Sequence, residues 1–177
     1  IRDSLYFADG TVSGNKVLLS GGTVSGQAAG GMSFLGDAVE VSGNEITVTG
    51  GTIEEGVYGG LAQLGGNASG NTVTISGGTI NKYVYGGSAD SGTASNNTVN
   101  IYGGTFKSDT RLYGGFSDDS SGNTLNFYTK GITVDKLGYF QNLSFYVPED
   151  TTAGETILTV TSTADVSGAS IRASVYD

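Results

Sequence analysis

Short stretches of alternating apolar and polar residues run along the chain, and the stretches repeat. In TVTIS from Thr72, Val73 and Ile75 fall on one face and Thr72 and Thr74 on the other, the period of a strand with one buried side. The same pattern stands in GNKVLLSGGTV from Gly14, GNEITVTGGTI from Gly43, GNTVTISGGTI from Gly70, NNTVNIYGGTF from Asn96 and a degenerate GNTLNFYTKGI from Gly122. The leading asparagines Asn15, Asn44, Asn71, Asn97 and Asn123 recur about every 26–29 residues, a period that marks a stacked repeat. A second glycine pair follows in each complete copy, at Gly30-Gly31, Gly59-Gly60, Gly86-Gly87 and Gly114-Gly115.

Reading down the copies, Val17, Ile46, Val73, Val99 and Leu125 share one column, and Leu19, Val48, Ile75, Ile101 and Phe127 share the next. Val24, Ile53, Ile80 and Phe106 form a third. These columns predict aliphatic ladders inside a coil, with both glycine pairs at its corners, where positive φ lets the backbone bend sharply. One coil buries too little to offset the ordering of its own backbone, so neighbouring coils must stack, pair their backbones and share the ladder. The expected fold class is therefore all-β, a right-handed parallel β-helix (β-solenoid) with about 26–29 residues per coil.

Residues 1–132 form the regular repeats, five asparagine-led copies with the last degenerate; residues 133–177 read as irregular coils continuing the same solenoid. Their signals are the aromatic run Leu137–Val147, the turn at Pro148, and short strands around Ile157, Val160, Val166, Ile171 and Val175. The variable stretches Met32–Ser42, Leu61–Ser69, Ser88–Ser95 and Phe116–Ser121 differ in length at one point of the repeat and predict a loop face, which carries Asp37, Glu40, Asp90, Asp118 and Asp119.

Composition sharpens this picture. With 31 glycines and one proline the chain turns often, while a hydrophobic share of 37% is too high for disorder. No window holds helical apolar spacing without interruption, so no helix is predicted. A net charge of −9 without a basic stripe argues against nucleic acid and anionic lipid. The lack of cysteine suits an extracellular rod held by stacked rungs. No apolar run approaches a membrane span. Opening at Ile1, the chain reads as a piece of something longer.

The repeated asparagines are expected to serve the coil, as an amide ladder or by shaping a turn. Tyr58, Tyr85 and Tyr113, with Tyr6 ahead of them, form an aromatic column just before a corner; they pack, or they offer ring faces to a sugar. The loop acids are read as solvated, since the calcium-binding nonapeptide is missing. With neither His nor Cys, catalysis would rest on carboxylates, Lys and Tyr, and no acids pair on neighbouring strand positions; no enzymatic role, cofactor or metal is expected. Thr23, Thr52, Thr79 and Thr105 align as an ice-binding array would, but Lys16 and Glu45 interrupt the outward face of the main strand.

The GNTVTISGGTI…VYGG repeats between Gly14 and Gly115, together with FQNLSFYVPEDTTAGETILTV and ADVSGASI, resemble the passenger regions of bacterial type V autotransporters and large repetitive surface adhesins. The resemblance implies a β-helical passenger exported across the outer membrane and displayed at the bacterial cell surface or secreted. The partners expected are a host or bacterial surface protein or a glycan, with homo-association through coil ends. Membrane attachment would come only through a translocator domain that this sequence does not contain. The leading expectation is an adhesin-like fragment acting through loops on a rigid rod; the rival is a self-associating spacer or fibre segment.

Overall fold

The computed structural model describes residues 10–34 and 39–176. Tyr6 and Asp37 lie outside the described residues. The chain is a parallel β-solenoid of about six coils: every strand pairing among the described residues is parallel, and the strands form sheets of five, six and nine. Successive coils place equivalent residues side by side. Val17 pairs with Ile46, Ile46 with Val73, Val73 with Val99, and Val99 with Leu125. Leu19, Val48, Ile75, Ile101 and Phe127 follow in the same register, as do Val24, Ile53, Ile80 and Phe106.

The nine-stranded main sheet carries these ladders and the six-stranded sheet faces it, contributing Val57, Val84 and Leu112 to the same core. Ile46, Val73, Ile75, Ile101, Leu125 and Phe127 have no exposed surface, and such burial contributes roughly 1.5–3 kcal/mol per large side chain. Burial lessens toward the ends, where Val17 and Leu19 are half-buried and Ile171 is exposed, because a terminal rung has a neighbour on one side only.

The first glycine pair bends the chain within the main sheet, inside β-strands at Gly21-Gly22 and Gly50-Gly51 and between strands at Gly77-Gly78 and Gly103-Gly104. Its second members Gly22, Gly51, Gly78 and Gly104 have φ of 78°, 87°, 82° and 107°, a region other residues enter at a cost. The second pairs, Gly30-Gly31 through Gly114-Gly115, lie inside strands of the six-stranded sheet with negative φ, correcting the expectation of a corner there. Glycine is needed there for close approach: a Cβ on Gly60 would overlap the Asn71 amide, and one on Gly59 would overlap the Gly86 carbonyl.

The expected loop face is in part a third sheet. Thr11–Ser13, Glu40–Ser42, Asn67–Ser69, Thr93–Ser95 and Asp119–Ser121 stack as five short strands. Their central Val41 and Ala68 are fully buried in a second, small core with Val39, Ala62 and Ala89, and Ala94 on the next rung is fully buried as well. What remains outside strands is 63–66, 90–92 and 117–118, one above another at the corner between this short sheet and the six-stranded one.

Beyond Gly122 the coil changes shape. Ile132–Gly138 and Leu158–Ala164 extend the six-stranded sheet, and Asn142–Pro148 and Ser170–Tyr176 extend the main sheet, but the short sheet ends at Asp119–Ser121. Phe140 and Gln141 cut straight across the missing side: Gln141 lies 18 residues beyond Asn123 and its Oε1 accepts the Asn123 backbone N–H at 2.8 Å. The rod therefore passes from three sheets to two at a step.

Candidate functional site

The asparagine column lies in the interior, between the two cores. Asn44, Asn71, Asn97 and Asn123 are buried to within 1% and Asn15 is exposed at the first rung. Each side-chain amide donates to Oδ1 of the next asparagine, from Asn15 to Asn44 at 2.8 Å, Asn44 to Asn71 at 3.0 Å, and Asn71 to Asn97 and Asn97 to Asn123 at 3.1 Å. The second amide hydrogen reaches back across the coil to a short-sheet carbonyl, as from Asn71 to Val41 and from Asn97 to Ala68. This column is fully committed to the coil and presents nothing to a ligand.

The tyrosine column is on the outside. Val57, Val84 and Leu112 point inward, so alternation sends Tyr58, Tyr85 and Tyr113 to the outer face of the six-stranded sheet, mid-strand and not beside a corner. Tyr58 and Tyr85 stack at 5.0 Å, and Tyr85 meets Tyr113 at 5.5 Å. Leu61 and Tyr83 close over them, and the Arg111 guanidinium lies 5.6 Å from the Tyr83 ring centre. Burial, reinforced by Tyr83 and Glu55, pushes the Tyr58 phenol up to about 12, and burial raises Tyr85 and Tyr113 as well. These phenols are neutral at physiological pH, and the Tyr58 and Tyr85 rings are covered by neighbours.

The open aromatic surface lies one coil further on. Tyr139 is 41% exposed and Phe116 44% exposed, and Tyr139 meets Tyr113 and Phe116 nearly at right angles, 84° and 79°. Two clefts flank the Tyr139 ring at the step. One, of about 180 Å³, is lined by Ser117, Asp118, Ser120, Gln141 and Asp165; the other, of about 210 Å³, by Tyr113, Lys136, Thr163 and again Asp165. Asp165 Oδ1 accepts from the Ser167 hydroxyl at 2.6 Å and from its backbone N–H at 3.1 Å, which holds the carboxyl below its usual range. No three His, Cys, Asp or Glu side chains gather among the described residues.

A second aromatic feature sits on the outer face of the main sheet. Tyr102, Tyr128 and Tyr146 stack at 4.3 and 4.4 Å with their planes within 5°. Beside them, Asn126 donates to Asn100 Oδ1 at 2.9 Å. Sequence reasoning missed this ladder although the signal was present: Tyr102 and Tyr128 hold the position of Ser76 in IYGG, FYTK and ISGG. Elsewhere on that face, Lys16 and Glu45 pair at 2.8 Å across adjacent coils.

No protein-family model, curated protein or solved structure matches this chain.

Proposed function

We propose that the chain is a segment of a rigid attachment rod displayed on a bacterial cell surface, in which the stacked coils supply length and stiffness and one edge supplies the contacts. The observation that carries this reading is the division of labour in the cross-section. Every repeated column inside the coil is consumed by packing or hydrogen bonding, so contacts fall to the outer surface, where Leu64, Phe116 and Tyr139 are exposed at one corner and Leu18, Tyr102, Ile171 and Val175 on the main sheet. Leu64, 65% exposed, stands in the 63–66 loop at that corner, and Phe116 and Tyr139 stand where the same corner meets the step. The resemblance to autotransporter passengers supports the same placement.

The test replaces residues 63–66 and 90–92 with Gly/Ser loops of equal length and, separately, removes Phe116 and Tyr139, leaving the buried Ala62, Ala68, Ala89 and Ala94 untouched. Binding of the labelled rod to bacterial and host cell layers is expected to fall in one or both variants while thermal stability is retained. Unchanged binding in both would favour a spacer that recognises only copies of itself, for which the flat face bearing Tyr102, Tyr128 and Tyr146 is the surface to examine.

A further inference from the structure

We propose that the two clefts around Tyr139 form one binding site for a neutral hexopyranose, with the Tyr139 ring as its platform. The inference rests on the attachment reading above and names the chemistry that the step recognises.

A pyranose presents an apolar C–H face and a rim of hydroxyls, and each half has a counterpart here. Tyr139 stands beside the tyrosine column and is far more open than its members: Tyr85, two coils before, is 8% exposed against 41% for Tyr139. Around it stand acceptors and a donor suited to hydroxyls. Asp118 lines one cleft and Asp165 lines both. Gln141 has its Oε1 engaged by the Asn123 N–H, which leaves its –NH2 end as the donor toward that cleft. Each cleft alone is smaller than the roughly 300–1,000 Å³ of ordinary ligand pockets, and the two share Tyr139 and Asp165 in their linings.

The backbone points the same way. Tyr113 pairs with Gly138, so Tyr139 occupies the position of Gly114, the first member of the second glycine pair. It does so with φ at 59°, in the left-handed region where a bulky side chain is disfavoured. Glycine would satisfy that backbone without strain, yet the chain places an aromatic ring there and turns it outward between two clefts.

Charge selects against other ligands. The chain carries −9 overall, and the site holds two carboxylates against Lys136, so sialylated or sulfated sugars would be repelled. Among the described residues Asp118 and Asp165 belong to no group of three His, Cys, Asp or Glu side chains.

Saturation-transfer NMR tests the proposal with the methyl glycosides of glucose, galactose, mannose and N-acetylglucosamine, and with sialyllactose as the anionic comparison. At least one neutral glycoside is expected to receive saturation on its ring C–H protons, with a dissociation constant on the order of millimolar. The signal should vanish in Tyr139→Gly, weaken several-fold in Asp165→Asn, and persist in Tyr102→Ser. Tyr139→Gly is the decisive variant because glycine suits the φ of that position and the coil should stay folded. Silence from all neutral glycosides, preference for sialyllactose, or unchanged binding in Tyr139→Gly would overturn the site. A rod that attaches to cells while binding no glycoside would refute this site and leave the attachment reading standing. A rod that binds glycosides without attaching to cells would do the reverse.

Discussion

The side-chain amide of Asn71 and the backbone N–H of Asn71 both donate to one atom, Oδ1 of Asn97, at 3.1 and 2.9 Å. In return Asn71 Oδ1 accepts the same pair from Asn44, and its remaining amide hydrogen goes to the Val41 carbonyl. An amide with all its hydrogen-bonding capacity met can sit dry inside a coil.

Removing one such amide should therefore cost far more than its size suggests. Asn71→Ala leaves the Asn44 donors, the Val41 carbonyl and part of the Asn97 acceptor unmet, at about 1–3 kcal/mol for each buried orphan. We expect it to lose at least about 3 kcal/mol in chemical denaturation. Asn15→Ala, at the exposed first rung, should lose less than about 1 kcal/mol. Equal losses would remove the ladder from the account of stability.

The face assignment predicts opposite outcomes for adjacent residues. Ile75 is fully buried and Thr74 faces outward beside Asn100. Ile75→Asp puts a carboxylate in the dry ladder and should abolish cooperative folding. Thr74→Asp should keep a melting transition close to that of the parent, as followed by circular dichroism.

The close-approach glycines provide a separate check. Gly60→Ala drives a methyl into the Asn71 amide and should destabilise by several kcal/mol, of the order seen for overpacked cores, about 1–3 or more. Gly26→Ala, with open space around the added Cβ and no positive φ, should be neutral within about 0.5 kcal/mol. Thermal unfolding of the two variants distinguishes packing from backbone freedom, since a purely conformational role would make them alike.

Alkaline pH should unfold the rod through the tyrosine column. The Tyr58 phenol titrates at about 12 in the folded chain against an ordinary value of 10.0, chiefly because burial disfavours its anion. The folded state thus holds this proton more tightly than the unfolded state does. Its contribution is complete below pH 10 and is lost as pH rises toward 12, a swing on the order of 2–3 kcal/mol. Denaturant midpoints measured from pH 8 to pH 12 should fall most steeply at the top of that range, and Tyr58→Phe should flatten the fall.

The columns through Val73, Ile75 and Asn71 were legible in the sequence because in a solenoid the residue one period later lies directly beside its predecessor. A repeat in the chain is then a repeat in space, and alternation decides which side is buried. Four features depended on closure across the coil, which no period encodes. The second glycine pair lies mid-strand and is glycine because the Asn71 amide occupies the space that a Cβ on Gly60 would need. The short sheet closes over a core of small residues, where Ala68 packs with Ala62 and Ala89 at a narrow corner. The step arises where Gln141 takes the place due to an asparagine, and a whole side of the coil is skipped. Tyr139 is exposed for the same reason: the ring stands at the edge of a wall that stops one rung earlier, and only the path of the folded chain determines where that wall stops.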